Sequence, residues 1–572
     1  APVLVSTVPA EGATNASANG KIVLTFDEKV KLTDKAHATL GTEKIEGVVS
    51  GKTITFAYKG LNYATAYIFT LAAGSVADLT DNATDQAIVL NFTTKTKPAV
   101  TKALYDFIVP TDGDFKAALD AAAKRTDTSK RFRIFIKQGD YKIPADEKSK
   151  VTGSDGKSYA NPTTYMNTPN VSIIGEGMDN TSLTNTVPNS GQSANVLEGI
   201  GKGDVLCLQK GATNTYFQDL KMYSSMGDAK GRDIVLNDQS NKTICKNVNL
   251  WAYQDTYVSN NQNGKFYFED GILRGRTDFL CGKGDVYYNN VDLWICEKGG
   301  YLAVPSQPKK YGYIFKDCTI KDATTAKDLN GNYTLGRPWG KGTPIALYID
   351  TKMEAIPSAA GWNEMSGGYP KRFAEYNSYT TTGSVVDLKD RKKVYDAYDS
   401  KDGDNYVNRR NETAGDPILT AEEAATYTIE TVMGQDDDWD PTAATEQASA
   451  PSNVKLNGTT LAWDNNDYAL LWAVCKNGKV VDFTIKPTYL VDDASATWSV
   501  RAANEMGGLS EATAAVLSTG IQNIASATDA AVIKTAIFAA DGTQLSNLQK
   551  GINIIVKTLA DGSKKTSKVI VK

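Results

Sequence analysis

The sequence predicts an all-β protein in which a parallel β-helix occupies the middle of the chain, with β-sandwich modules on either side. Two observations support this fold class. Short strand-like segments repeat through the middle, and apolar and polar residues alternate at both ends. Clear helical spacing appears in DFKAALDAAAKR at 114–125. The 572 residues are enough for about three or four domains.

Residues 1–99 are the first predicted module. Runs such as KIVLTF, KTITFAY and AIVLNFTTK alternate apolar and polar residues, and turn clusters such as AEGATNASANG separate them. This pattern is typical of a β-sandwich. The stretches STVPAEGATNAS and KIVLTFDEKV resemble bacterial immunoglobulin-like modules that precede enzymes on secreted proteins.

Residues 100–445 contain an internal repeat. The segments YFQDLKM, ICKNVNL, YFEDGIL, YYNNVDL and IFKDCTI share two apolar residues, an Asp or Asn, and a later apolar residue. The Asp/Asn positions lie 20 to 28 residues apart, at Asp219, Asn247, Asp270, Asn290 and Asp317. Strand-only repeats of this length predict the stacked coils of a parallel β-helix, with an Asp/Asn ladder at one turn.

The repeat also places two aspartates that interrupt strand-like segments, in WAYQDTYV and RGRTDFLCG. Asp255 and Asp278 each follow a ladder position of adjacent repeats by eight residues. They should therefore be neighbours on successive rungs, which lie about 4.8 Å apart. Like charges at this distance favour one protonated and one ionised carboxyl, and thus an acid beside a nucleophile or base. Arg337 in LGRPWG is expected to hold one of them ionised.

Spacing alone leaves several chemistries open. Two close carboxyls also suit a retaining glycosidase, and clustered acids on a β-helix could bind calcium as in a pectate-lyase-like enzyme. The chain has a single histidine, His37, in the first module, where a structural role is expected. Histidine-dependent triads, Cys-His pairs and His-ligated zinc sites are therefore excluded from the middle region.

Two further β modules are predicted after the repeat. Residues 446–518 resemble a fibronectin type III domain with core tryptophans Trp463 and Trp498, and residues 519–572 resemble C-terminal sorting or anchoring modules of secreted bacterial proteins. QDDDWD at 435–440 is expected to be an acidic linker before them rather than a calcium site.

Composition narrows the possible classes of protein further. The net charge of −4 argues against nucleic-acid binding, and no apolar run is long enough for a transmembrane helix. The six cysteines lack metal-site spacing, so buried thiols are expected, with a Cys296–Cys318 disulfide as the alternative. Any signal peptide is expected to have been removed or never present, since the sequence opens on APVLVSTVPAEG. We expect a monomer.

Ordered motifs then identify a family resemblance. YQDTYV, GRTDFLCG and LGRPWG, with DGDFKAALDAA and FIKQGDYKI before them and FAEYNSY after them, resemble the pectin methylesterase (pectinesterase) family over about 103–400. The resemblance implies a right-handed parallel β-helix, no metal or organic cofactor, a pectic polysaccharide as partner (methyl-esterified galacturonan or rhamnogalacturonan side structures), and a secreted, periplasmic or cell-surface location in a bacterium.

The resemblance also implies roles for individual residues. Asp278 would attack the galacturonate methyl ester, and Asp255 would protonate methanol and then activate water. Gln254 would stabilise the oxyanion and Arg337 would orient Asp278. The substrate-binding side chains would be Trp339, Tyr257 and Phe279.

The sequence departs from the family pattern at two places. The family usually has a second oxyanion glutamine 22 residues before the glutamine of the QD motif, where this chain has Arg232. Arg232 is thus expected to serve the oxyanion or to bind a substrate carboxylate. Cys281 is expected to pack in the core. The alternatives to an esterase are an inactive pectin-binding β-helix protein and a β-helix lyase or glycosidase.

Overall fold

The N-terminal module is a β-sandwich. The computed structural model describes residues 1–188, 195–228, 231–466, 468–517, 532–559 and 564–571. Sheets of four and five strands enclose an apolar core that includes Ile22, Phe56 and Phe69. The strands are β1 (Leu4–Val8), β2 (Ala13–Ala16), β3 (Gly20–Phe26), β4 (Val30–Leu32), β5 (Ala38–Leu40), β6 (Glu43–Ile45), β7 (Gly47–Ser50), β8 (Thr53–Tyr58), β9 (Ala66–Leu71), β10 (Val76–Asp78) and β11 (Ile88–Thr94).

The middle of the chain is a parallel β-helix. Within the described residues its coils stack into three parallel sheets of ten, nine and seven strands, here called the first, second and third sheet. Helix α1 (Phe115–Lys124) begins after Asp114, whose side chain accepts a hydrogen bond from the Ala117 backbone amide. The apolar face of α1 packs into the interior of the β-helix.

The strands of this domain follow one another in the order that the repeat predicts. They are β12 (Phe107–Val109), β13 (Phe132–Ile136), β14 (Gly139–Lys142), β15 (Asp146–Thr152), β16 (Ser158–Asn161), β17 (Thr164–Met166), β18 (Val171–Gly175), β19 (Thr181–Thr184), β20 (Leu206–Leu208), β21 (Tyr216–Gln218), β22 (Lys221–Tyr223), β23 (Leu236–Asp238), β24 (Thr243–Lys246), β25 (Asn249–Trp251), β26 (Tyr257–Ser259), β27 (Lys265–Glu269), β28 (Ile272–Gly275), β29 (Thr277–Gly282), β30 (Asp285–Asn289), β31 (Asp292–Ile295), β32 (Gly300–Pro305), β33 (Tyr313–Lys316), β34 (Thr319–Asp322), β35 (Tyr333–Gly336), β36 (Ile345–Ile349), β37 (Lys352–Met353), β38 (Arg372–Tyr376) and β39 (Tyr379–Thr380). The third sheet, β17-β20-β23-β26-β29-β32-β35, carries the predicted site.

The Asp/Asn ladder lies at the turn between the first and second sheets, as predicted. All five repeat positions have left-handed backbone with φ between 48° and 58°, which Asp and Asn tolerate better than other side chains. Neighbouring members are bonded directly: the Asn247 amide donates to Asp219 over 2.6 Å, and that of Asn290 to Asp270 over 2.7 Å. Asp350 and Asn377 extend the ladder by two rungs that the repeat count missed.

A segment after the last coil packs back across the first sheet. It begins with two nested pairs of antiparallel strands and continues with three short helices; its elements are β40 (Val394–Ala397), β41 (Ser400–Asp402), β42 (Asn405–Val407), β43 (Arg410–Thr413), α2 (Ala421–Ala425), α3 (Ile429–Gly434) and α4 (Thr442–Thr445). Its acidic stretch at 435–440 is not a solvated linker as expected. Asp437 pairs with Lys265 at 2.5 Å and with Lys242 at 2.7 Å, and Asp436 pairs with Lys309. The lysines of the β-helix neutralise these acids.

Two modules follow this segment. The first packs two four-stranded sheets around Trp463, Trp472 and Trp498; its strands are β44 (Lys455–Asn457), β45 (Thr460–Ala462), β46 (Leu471–Lys476), β47 (Lys479–Thr484), β48 (Thr488–Leu490), β49 (Trp498–Ala503), β50 (Thr513–Ala514) and β51 (Val516–Leu517). The second is one four-stranded sheet of β52 (Val532–Ala539), β53 (Gln544–Leu545), β54 (Gly551–Leu559) and β55 (Lys564–Val571).

One apolar cluster joins the modules. Tyr216, Ile244, Tyr267 and Tyr287 form a column on the outer face of the first sheet, and this column belongs to the same cluster as Trp472 of the following module. The division at 99/100, 445/446 and 518/519 and the fibronectin type III resemblance stay predictions; residues 518–531 lie outside the described part of the chain.

The cysteines are free thiols, as expected, so the alternative Cys296–Cys318 disulfide is not formed. Among the described residues, no helix has both the length and the apolar character needed to cross a membrane.

Candidate active site

The predicted aspartate pair lies on adjacent rungs at the edge of the third sheet. Gln254 pairs in parallel with Thr277 on the next coil, so the residues that follow, Asp255 and Asp278, occupy equivalent positions on adjacent coils. The Asp255 backbone amide donates to the Thr277 carbonyl. Both aspartates have left-handed backbone, with φ of 58° and 49°. The register prediction is confirmed.

Asp278 is held by Arg337 through two hydrogen bonds. The Arg337 Nε donates to Oδ1 over 2.9 Å and Nη2 donates to Oδ2 over 2.6 Å. The carboxylate is nearly buried, and the guanidinium lies 4.0 Å above the Tyr301 ring. A bidentate pair in a partly buried setting fixes the orientation of the carboxylate. Arg337 therefore lies beside one of the two aspartates, as expected from the sequence.

Asp255 is held by a different arginine, in a different way. A single close contact of 2.9 Å joins Arg232 Nε to Asp255 Oδ2, and 44% of the Arg232 side chain is exposed. Burial raises the pKa of Asp255 to about 7, although Arg232, Cys281 and Arg337 act to lower it; the charge of Asp278 raises it further. Asp255 therefore exchanges a proton near neutral pH, as an acid/base group requires.

Arg232 and Gln254 are neighbours across one rung. They form a parallel bridge, so the count of 22 residues that placed Arg232 at the position of a second oxyanion donor corresponds to the true register. Gln254 in turn lies one rung from Thr277, the neighbour of Asp278. The register therefore places Gln254 beside both aspartates, next to Asp255 in the chain and one rung from the level of Asp278.

The surface near Arg337 offers an exposed ring and an open space. Trp339, two residues after Arg337, is 40% exposed although it is large and apolar, and its backbone amide donates to the Pro305 carbonyl at 3.0 Å. A space of about 360 Å³ is lined by Tyr301, whose ring lies against Arg337, and by Asn332 and Asn363, among others. An exposed indole beside a polar cleft suits the apolar face of a sugar ring.

Two of the predicted substrate contacts are wrong. Tyr257 and Phe279 are both fully buried in the apolar interior of the β-helix. Side chains alternate along β26, so Val258 faces outward and Tyr257 inward. Phe279 packs over Gly275, where an added Cβ would approach the Phe279 Cβ to 2.4 Å. Neither ring can contact a bound sugar.

One residue near the pair, Tyr301, was missed by the sequence reasoning. Tyr301 pairs with Thr277, which lies seven residues after Asp270, but counting seven residues from Asn290 leads to Glu297, because the turn before β32 is longer. Cys281 is buried in an apolar cluster, as expected, and also contacts Asp255. Burial raises the pKa of its thiol far above the usual value, so it is unsuited to attack.

The geometry brings four functions together around the carboxyl pair. It provides a paired carboxylate, a carboxyl that titrates near neutrality, an amide donor and an exposed ring. Within the described residues, no group of three or more His, Cys, Asp and Glu side chains is arranged to hold a metal ion. The arrangement suits attack on a carbonyl followed by proton transfer.

Comparison with known proteins points to one family. The chain is 24% identical over 301 residues to "Pectinesterase/pectinesterase inhibitor U1" of Solanum lycopersicum, covering 50% of this chain and 47% of that protein. It is 29% identical over 165 residues to "Probable pectinesterase A" of Aspergillus flavus, covering 27% and 48%. The chain thus spans about half the length of the curated relatives it matches.

Solved structures show partial likeness. Pectin methylesterase PemA from Erwinia chrysanthemi gives a TM-score of 0.42 at 20% identity, covering 60% of this chain and 99% of that one. Pectin methylesterase from carrot gives 0.43 at 17% identity, covering 61% and 98%.

Family models divide the chain in agreement with its sequence pattern. Residues 1–94 match a bacterial Ig-like domain, which confirms the resemblance seen in the first module. Residues 106–408 match the pectinesterase model. Because this match covers more than half of the chain, the protein belongs to the pectinesterase family.

Proposed function

We propose that the protein is a carboxylic ester hydrolase that removes methyl groups from galacturonate units of pectin and releases methanol. The observation that carries the proposal is the unequal pair of aspartates on adjacent rungs. Asp278 is held by two bonds from Arg337, whereas burial raises the pKa of Asp255 to about 7. One carboxyl is suited to attack and the other to transfer protons.

The reaction then proceeds in two stages. A carboxylate oxygen of Asp278 attacks the ester carbon, and the Gln254 amide stabilises the oxyanion. The intermediate collapses as the departing methoxide takes the proton of Asp255, which leaves an anhydride between substrate and Asp278. Asp255, now ionised, takes a proton from water, whose oxygen opens the anhydride and frees the galacturonate carboxylate.

The sugar contact, the oligomeric state, the lack of a cofactor and the location are also proposals. Trp339 contacts a sugar ring in the cleft, the protein acts as a monomer, and the reaction needs no cofactor because carboxyls, an amide and arginines supply each role. The bacterial Ig-like domain at residues 1–94 supports a secreted, periplasmic or cell-surface location.

A product assay tests the proposal. The full chain is incubated with methyl-esterified pectin, and methanol, unsaturated chain ends and new reducing ends are measured. Methanol alone is expected. Unsaturated ends would indicate a lyase and reducing ends a glycosidase, while binding with none of the three products would indicate an inactive pectin-binding protein.

A further inference from the structure

A second pocket lies at the start of the β-helix, away from the aspartate pair. A space of about 460 Å³ is lined by residues of helix α1, of the β15–β16 hairpin and of β17, the first strand of the third sheet. Strands β17, β20, β23 and β26 are successive neighbours in this sheet, and Asp255 lies two residues before β26. Three rungs, or about 14 Å along the axis, therefore separate the pocket from the pair.

An aromatic ring lines this pocket. Tyr165 is 44% exposed, whereas its neighbours in β17, Thr164 and Met166, are buried, so the alternation of the strand turns Tyr165 outward. The ring belongs to none of the apolar clusters of the described residues. An exposed ring beside a polar space is suited to lie against the apolar face of a sugar unit.

Hydroxyl and amide groups of the lining have unused hydrogen-bonding capacity. Thr163 and Thr164 are each only 3% exposed, and the Oγ1 atom of each has no hydrogen-bond partner in the described part of the chain. The Asn161 Nδ2 donates over 3.3 Å to the Ser149 Oγ and over 3.5 Å to the Tyr165 Oη, and both bonds are long. A buried polar group without a good partner is unfavourable, so a ligand rich in hydroxyls would stabilise this lining.

The charges of the lining disfavour an acidic ligand. Asp120 of α1 and Asp146 of β15 contribute two carboxylates. Among the described residues of the lining, Lys116 provides the only ammonium, and its Nζ already donates to the Pro144 carbonyl over 2.7 Å. A uronate would be repelled by the excess negative charge. The hydroxyls of a neutral sugar can instead donate to the carboxylates and accept from the Asn161 amide.

We propose that this pocket binds neutral sugar units and anchors the protein to a neutral polysaccharide, at a site distinct from the aspartate pair. Tyr165 provides the stacking face, Asn161 and Thr163 provide hydrogen bonds, and the two carboxylates exclude acidic sugars. The pocket does not depend on the proposed ester cleavage. A second point of attachment would raise the effective concentration of the aspartate pair at a surface that contains both kinds of polymer.

Affinity electrophoresis of the full chain tests this proposal. Native gels contain β-1,4-galactan or α-1,5-arabinan as neutral probes, or polygalacturonate as the acidic probe. At least one neutral polymer is expected to retard the wild type. Tyr165→Ala should lose this retardation, because the stacking face is gone, while its migration with polygalacturonate stays unchanged. Tyr165→Phe should keep the retardation, and Thr163→Val, which removes one hydroxyl at nearly constant shape, should weaken it.

Trp339→Ala is the matched control, since it removes an exposed ring at the candidate active site, and it should keep the retardation by the neutral polymer. An unchanged thermal midpoint of Tyr165→Ala, measured by circular dichroism, shows that the loss is local.

Other results would overturn the inference. Absence of retardation by both neutral polymers, or retardation that Tyr165→Ala retains, would exclude neutral-sugar binding in this pocket. Loss of the retardation in Trp339→Ala would place the neutral chain at the candidate active site, and loss of polygalacturonate binding in Tyr165→Ala would assign the pocket to an acidic chain. The gels measure binding alone. A wild type that is retarded but releases no methanol would therefore refute the proposed function and support this inference.

Discussion

The two aspartates proposed for catalysis have a backbone that breaks the alternation of the strand. Asp255 and Asp278 both have positive φ, and the residues around Asp278 are buried. Aspartate tolerates this conformation better than most residues, yet it still costs about 1–3 kcal/mol. The turn thus aims each carboxyl at the cleft while the next apolar residue enters the core.

Replacing the nucleophile should abolish the reaction without affecting the fold. Asp278→Asn keeps the shape of the side chain but cannot attack, so methanol release should fall by at least about 10³-fold. The thermal midpoint, measured by circular dichroism, should change little.

Asp317→Asn is the matched control, since asparagine already occupies the equivalent ladder position at Asn247 and Asn290. Full activity is expected from this variant. Substantial turnover by Asp278→Asn would exclude Asp278 as the nucleophile.

The pH dependence should report Asp255. Because burial raises its pKa to about 7, kcat/KM should fall as pH rises through this value and the proton needed by methanol is lost. The charged or titratable groups facing it are Arg232, Asp278, Cys281 and Arg337. Arg232 lowers the pKa, so Arg232→Gln should move the alkaline fall to higher pH, as measured by methanol release.

Arg409→Gln, which removes an exposed arginine paired with Asp396, serves as control and should leave the profile in place. A profile of Arg232→Gln that is unmoved, or moved to lower pH, would contradict the assignment of the titrating group.

The sequence sufficed for the aspartate pair but not for the whole cleft. The pair follows from a count along a regular repeat, so its prediction needs no tertiary information. Tyr257 and Phe279 were misassigned because neighbours of functional residues alternate between surface and core. The contact between Tyr301 and Arg337 depends on a turn of unequal length, which a fixed count does not capture.

At the level of elements, the Asp/Asn ladder sets the turn between the first and second sheets. Each member has left-handed backbone, and three pairs of neighbours are also hydrogen-bonded, as the 2.6 Å contact from Asn247 to Asp219 shows. The repeat predicted five members because their spacing in sequence was similar. Asp350 and Asn377 were missed because the segments around them diverge from the repeat pattern.

Substitution at Asn247 should separate two contributions of a ladder residue to stability, its side-chain hydrogen bond and its tolerance of left-handed backbone. Asn247→Ala loses the bond to Asp219 and places a Cβ in left-handed backbone, which should cost about 2 kcal/mol of unfolding free energy. Asn247→Gly loses the same bond but tolerates the backbone, so it should cost less. Urea denaturation measures both, and a glycine variant less stable than the alanine variant would argue against backbone strain.

On the scale of the whole molecule, the flanking modules are part of one structure. The stack of Tyr63 on Tyr468, with ring centroids 6.1 Å apart, joins the first module to the one after the β-helix. The aromatic column on the first sheet is buried in the same cluster. The acids at 435–440 add ion pairs to the β-helix lysines. Composition could not predict these ion pairs, because an acidic run has the same sequence whether its side chains are solvated or paired with lysines.

Truncation should distinguish the modules by their packing. A chain ending at residue 445 lacks Phe483, whose ring packs on Tyr105 and Phe135 in the cluster that contains the column, so it should bind a hydrophobic dye or aggregate. A chain ending at residue 531 should remain soluble with unchanged methanol release, since the described residues of the last sheet belong to none of the apolar clusters.

Size-exclusion chromatography and dye fluorescence provide the measurement. A monomeric, non-binding chain ending at residue 445 would show that the aromatic column does not need its cover.

The stacking of the coils has a consequence for how such a protein can change over evolutionary time. Duplicating a coil before Arg232 or after Trp339 would lengthen the β-helix and leave the chemistry intact, because each coil contacts chiefly its neighbours. A coil inserted between Asp255 and Asp278 would preserve the fold equally well, yet it would double their separation. The architecture therefore permits growth at its ends and forbids it between Arg232 and Arg337, the stretch whose side chains hold the two aspartates in place.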